Sequence, residues 1–255
     1  MPRHTKERTD KTRLEKSEGR FTIKGMLGDE FYNFMHIERR KFFYTAIDLT
    51  IHPAQSIKMV IKGYKKYLYP YFNYLILLGT ITIFLSVRYK FFVSGLEVGE
   101  QSNVAGMFLD NLGFDKQFRL DFFYYAEQFA TIVNIIAIPM FAICSFLMFS
   151  KSKYNLAEHF ILNVYIAAQQ LLFLWFTVPF LELFHSQKDL IMIVYSVLTF
   201  SYNVWVYTVF FDGNKALNIF KGCLTVIIAF IAGVPINYFF FYIFRPFIKW
   251  LDAIF

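Results

Sequence analysis

Over its first twenty positions the chain is polar and rich in lysine and arginine, with almost no apolar residues, and 1–20 reads as a disordered tail. From Met26 the pattern turns helical. Leu27, Phe31, Phe34 and Met35 recur at helical spacing, with Asp29 and Glu30 in the first turn, where they suit the helix dipole. Arg39, Arg40 and Lys41 lead into Phe42, Phe43, Ile47 and Leu49, and Pro53 stands where the first-turn proline of another helix belongs. On that second helix Ile57, Val60, Ile61 and Tyr64 share one face, while Lys58, Lys62, Lys65 and Lys66 cover much of the rest. Residues 21–69 are therefore expected as amphipathic helices. They lie on a membrane surface, with the four lysines at lipid headgroups, or pack on the protein's own helices with the lysines outward, and the two can both hold.

Beyond Tyr69 the alternation gives way to long apolar runs, at about 71–87, 129–149, 160–184, 190–211 and 223–244. A run of about 20 apolar residues is the length that spans a hydrocarbon core near 30 Å thick. The expected fold is all-α and membrane-integral, with about five transmembrane helices bundled over 70–255. The loop over 88–121 is long and the others are short, so sequence neighbours should pack as antiparallel pairs. Tyr67, Tyr69, Tyr71, Tyr74, Tyr124, Tyr125 and Trp250 fall near span ends, as an interfacial aromatic belt requires.

Composition agrees with a lipid environment. Hydrophobic residues make up 56% of the 255 positions and charged residues 18%, and mean hydropathy is +0.41. Soluble domains carry roughly 45–50% and 25%. The net charge of +7 is concentrated before the first span, where 15 of the 26 lysines and arginines face 8 acids. Next to a span, such an arm fits anionic headgroups, and no zinc-finger spacing or RNA-binding aromatic motif points to nucleic acid. Counting basic residues in loops places the N-terminus in the cytoplasm, together with the Lys151/Lys153 and Lys215/Lys221 loops. Five spans then put Phe255 outside, unless the last segment is re-entrant at Gly233–Pro235. No apolar stretch follows the N-terminal charges within the first thirty residues, so the arm is expected to remain rather than be cleaved as a signal peptide. Cys144 and Cys223 both fall inside spans and form neither a disulfide framework nor a zinc site.

Polar groups within spans are costly and so mark candidate sites. Glu158 and His159 open the third span, with Asn163 on the same helix face as His159 and Gln169 and Gln170 further on. A carboxylate beside an imidazole can relay a proton, bind a metal or grip a headgroup; it can equally cap the helix or pair with Lys151 or Lys153. Glu127, Glu182 and His185 fall at the opposite end, where they could meet in a zinc or proton site or simply reach toward headgroups. Asn134, Asn203 and Asn237 lie deeper, where hydrogen bonding between helices accounts for them. Pro139, Pro179 and Pro235 are expected to kink three spans. Asp212–Lys215 reads as a tight turn. Phosphate-binding glycine loops, His-Glu-x-x-His and a serine nucleophile elbow are all missing, and no cofactor or resident metal is expected.

Gly63, Tyr64, Lys65, Lys66, Tyr67, Leu68, Tyr69 and Pro70 follow a lead-in running from Asp48 to His52 and Pro53. This stretch resembles a family of uncharacterised bacterial multi-span proteins, in which a glycine, basic pair, tyrosine and proline run into the first span. Glu158-His159 at the head of a later span is a second shared feature. The chain lacks the paired Cys-x-x-Cys zinc ribbon that often precedes the motif in that family, and its Gly63–Tyr67 interval is one residue short. The resemblance implies a multi-pass protein of the bacterial inner membrane and brings no established activity. Three functional readings remain open: a non-enzymatic scaffold or accessory subunit, with a membrane-protein partner or as a homo-oligomer; a small-solute or lipid transporter; and a membrane enzyme acting on lipid-linked substrates through Glu158 and His159.

Overall fold

A computed structural model describes residues 39–64, 68–89, 121 and 130–252, and every regular element among them is helical. The helices are α1 (Arg39–Ile51), α2 (Pro53–Ile61), α3 (Tyr71–Tyr89), α4 (Ala130–Met148), α5 (Leu156–Leu183), α6 (Lys188–Phe210) and α7 (Lys215–Asp252), with a short 3₁₀ turn at His185–Gln187 before α6. Three of them are long and apolar enough to cross a membrane, over Leu156–Leu183, Leu190–Phe210 and Lys215–Ile243. Tyr71–Leu85 and Ile135–Met148 are shorter apolar stretches. The helices expected from the apolar runs are all present, and α7 continues unbroken through Gly233–Pro235, where a re-entrant turn was the alternative. The tail over 1–20, the helix starting near Leu27, the loop over 90–120, Lys65, Lys66, Tyr67, Tyr124, Tyr125 and Glu127 lie outside the described residues.

Local chemistry explains where the helices begin and end. Pro53 opens α2, where its missing N–H costs nothing. Gly63, at φ 100°, closes it in a Schellman turn: Tyr64 N–H reaches the Met59 carbonyl at 3.1 Å and Gly63 N–H reaches Val60 at 2.9 Å. Asn155 caps α5 by accepting from Glu158 N–H, and the Glu158 carboxylate returns to Asn155 N–H at 2.7 Å, forming a capping box. The turn before α7 uses Gly213 at φ 122°, and the Asn214 side chain accepts from Ala216 N–H at 2.9 Å.

α5 is the hub, packed against α1, α2, α3, α4 and α6. α3 runs parallel to it, since Tyr71 meets Tyr165 edge-on, Tyr74 meets Gln169, and Thr82 meets Trp175. α4 and α6 run the other way, with Ser145 facing His159 and Tyr207 facing Asn163. The α4–α5 loop, the α6–α7 turn and the far end of α2 therefore share one end of the bundle.

The helical pair α1–α2 is set against this bundle. The expected apolar face of α2 is buried there, with Ile57, Val60 and Ile61 all inside. α1 docks on the middle of α5: Gln169, the fourteenth residue of that 28-residue helix, bonds the α1 backbone. At 1.5 Å per residue this lies about 20 Å along α5. One expectation is corrected. Tyr69, Tyr71 and Tyr74 do not stand at a lipid interface; they are buried, because α1 covers the start of α3 with Phe42 against the Tyr69 and Tyr74 rings.

Candidate functional site

Among the described residues two polar constellations occupy the bundle. In the first, α5 and α6 hold α1. The Gln169 side chain is fully buried, accepts from Tyr74 OH at 2.9 Å, and donates to the Ala46 carbonyl at 3.1 Å and the Thr50 hydroxyl at 2.6 Å. Tyr202 OH donates to the Leu49 carbonyl at 2.8 Å. That carbonyl needs a side-chain donor because its helical partner would be residue 53, a proline with no N–H. Thr45 accepts from Tyr69 N–H at 2.7 Å, and Tyr165 OH donates to the Tyr69 carbonyl at 2.8 Å. Side chains of α3, α5 and α6 are thus committed to the segment around α1.

The second constellation joins α4, α5 and α6 near the start of α5. Ser145 Oγ lies 2.9 Å from His159 Nδ1, donates to the Ala142 carbonyl at 3.0 Å, and accepts from Asn163 Nδ2 at 3.1 Å. Asn163 also donates to the His159 carbonyl at 2.8 Å and accepts from Tyr207 OH at 2.5 Å. With the Ser145 proton on Ala142, this sharing is satisfied when His159 carries its proton on Nδ1. Among the described residues its Nε2 has no hydrogen-bond partner, and the ring is fully buried, stacked on Phe211 and edge-on to Phe146.

The Glu158 and His159 side chains are turned to different partners. Successive helical positions diverge by about 100°. The Glu158 carboxylate is spent in the Asn155 capping box, and His159 turns inward to α4. Replacing Glu158 with alanine and His159 with leucine should accordingly give thermal destabilisations in detergent that add to within about 0.5 kcal/mol. A shared acid–base unit would give strong non-additivity.

The remaining candidates are scattered. Glu182 is exposed near the end of α5, and His185 lies in the 3₁₀ turn that follows. Among the described residues no three His, Cys, Asp or Glu side chains converge as a metal set. Asn134 lies on α4. Asn237 donates to the Gly233 carbonyl at 2.9 Å. Asn163, Gln170 and Asn203 line a cavity of about 40 Å³ with Ala137, Ile138 and Phe141, room for roughly one water molecule. A wider apolar groove of about 480 Å³ opens between α5 and α6 at the other end, lined by residues including Phe176, Phe180, Leu190 and Val194.

At the loop end, Lys58 lies 3.2 Å and Lys153 3.1 Å from the Asp212 carboxylate, tying α2 to both short connections, while Lys62 is exposed. Lys58, expected at lipid headgroups, thus has a partner within the chain. The hydrogen bonds from Lys153 and Lys58 hold the Asp212 carboxyl below its ordinary range. A carboxyl depressed on folding stabilises fully above its unfolded value, about 4, and loses that contribution as pH falls through the folded one. Asp212 is well exposed, so the effect is small and screened by salt. Asp212→Asn should lower the melting temperature slightly at neutral pH and low salt. The two proteins should converge in high salt or as the pH is taken well below 4.

Ser145, Tyr202 and Tyr207 escaped the sequence reading, since hydroxyls within apolar runs carry no spacing signal. Compared with family models, curated proteins and solved structures, the chain finds no significant match.

Proposed function

We propose that this chain is a five-span protein of a bacterial inner membrane, N-terminus in the cytoplasm, working as a non-enzymatic scaffold or accessory subunit of a membrane complex. The observation that carries this reading is where the intramembrane polar groups are spent. Gln169, Tyr74, Tyr202, Asn163 and Tyr207 bond backbone carbonyls or one another. A solute path needs a polar cavity reaching the middle of the bilayer, and among the described residues the polar cavity between α4, α5 and α6 has room for roughly one water. A lipid-directed enzyme needs an acid–base pair, and the sequence-adjacent candidates are turned apart. The antiparallel order from α3 through α6 supports the five crossings, as do the lysines grouped at one end, and the motif ending at Pro70 supports the family resemblance.

Extraction from the native membrane in mild detergent, with quantitative mass spectrometry of proteins and lipids, tests the reading. A protein partner in fixed ratio is the expected outcome. A chain recovered alone, with one enriched solute or lipid-linked molecule, would instead favour transport or catalysis.

A further inference from the structure

α1 has two apolar faces. The inner one, Phe42, Thr45, Ala46 and Leu49, is turned to the bundle and bonded as described. The outer one, Phe43, Tyr44, Ile47 and Ile51, recurs at i, i+1, i+4 and i+8 and forms a continuous stripe with 66%, 46%, 60% and 55% of each residue exposed. A helix apolar all round belongs in a protein core or in lipid, and water on such a stripe is the costly alternative.

Depth decides between surfaces. The inner face is held at Gln169, about 20 Å along α5, and at Tyr202, eight residues or about 12 Å before the end of α6. The outer stripe therefore lies alongside the spans, level with their own exposed apolar residues rather than at the lysine-bearing loop end. Where α1 meets α2, Ser56 bonds the Asp48 carboxylate and the His52 carbonyl, and His52 Nδ1 lies 3.8 Å from Asp48, while Thr50, His52 and Gln55 are exposed. After Lys41 the only charged side chain of α1 is that of Asp48, so the charge sequence also fits a helix whose basic start reaches headgroups.

We infer that α1 and α2 form a re-entrant hairpin in the leaflet on the loop side, with Phe43, Tyr44, Ile47 and Ile51 of α1 against lipid acyl chains. The inference rests on the membrane-spanning reading of α5 and α6 and deepens it. α1 is then part of the membrane domain, clamped from within by Gln169 and Tyr202 and seated from without by lipid.

The test uses full-length protein with Cys144→Ala and Cys223→Ala. Single cysteines at Ile47→Cys and Ile51→Cys are labelled with a small environment-sensitive fluorophore and reconstituted in phosphatidylcholine–phosphatidylglycerol vesicles. Lys62→Cys serves as the loop-end reference, and Phe230→Cys, on the exposed face of α7, as the span reference. Acyl-chain nitroxide lipids should quench both α1 positions about as strongly as Phe230→Cys and at least about twofold more than Lys62→Cys. Quenching of the α1 positions by aqueous iodide, with Phe230→Cys still quenched by lipid, would overturn the inference and leave the spans intact. Lipid quenching at neither place would overturn the spanning reading with it. Cross-linking between copies through Ile47→Cys would assign the stripe to a second copy and also overturn the inference.

Discussion

Replacing Gln169 with leucine should destabilise the protein by about 3 kcal/mol and loosen α1 from the bundle. The side chain is fully buried and joins three groups at once: the Tyr74 hydroxyl, the Ala46 carbonyl and the Thr50 hydroxyl. Single intramembrane hydrogen bonds average about 0.6 kcal/mol and reach about 1.7, because the unfolded chain in lipid also finds partners. Three bonds give roughly 2–5 kcal/mol by that measure. The lower half is favoured, since Thr50 keeps its bond to the Ala46 carbonyl while Tyr74 is left buried without its acceptor. Leucine adds no cavity penalty of the kind alanine would bring. Thermal unfolding in detergent measures the loss, and limited proteolysis between α1 and α2 should quicken in the variant before the spans open.

Asn163→Leu is the second large change, expected to cost about 2–3 kcal/mol. Asn163 links three helices: it donates to Ser145 on α4 and to the His159 carbonyl on its own helix, and it accepts from Tyr207 on α6. Leucine strands the buried Tyr207 hydroxyl and removes one of the three bonds at Ser145. His159→Leu should cost less, because its ring makes one side-chain hydrogen bond and otherwise packs as an aromatic against Phe211 and Phe146. The order of melting temperatures, Asn163→Leu below His159→Leu below the unaltered protein, follows from that difference.

Much of the architecture is legible from apolar run length alone. Each of the five runs corresponds to a helix whose ends lie within a few residues of expectation, apart from α7, which extends well past its run at both ends. The α2 face defined by Ile57, Val60 and Ile61 is the buried one, because a nine-residue helix opened by Pro53 and closed by Gly63 has one stable way to hide three branched residues. The site was far less visible. His159 and Asn163 stand out as polar groups in an apolar run, but their partners Ser145 and Tyr207 are common in membrane helices and fall 14 and 44 residues away from the side chains they bond. At Glu158 and His159 the sequence left a shared site and a helix cap both open, and the structure shows the cap at Glu158 while His159 turns to α4, since neighbours on a helix point apart. Proximity to Pro70 misled at Tyr69, Tyr71 and Tyr74, where α1 folds back over the start of α3.

If the polar side chains within this bundle serve its architecture, Thr50 on α1 and Gln169 on α5 must be energetically coupled. A double-mutant cycle with Thr50→Val and Gln169→Leu, followed by unfolding in one detergent, reads that coupling directly. The expected result is a coupling energy of about 1 kcal/mol or more, with Gln169→Leu costing less once Thr50 has been replaced. Effects that add to within about 0.5 kcal/mol would contradict it and leave the Gln169 side chain without an architectural role at α1.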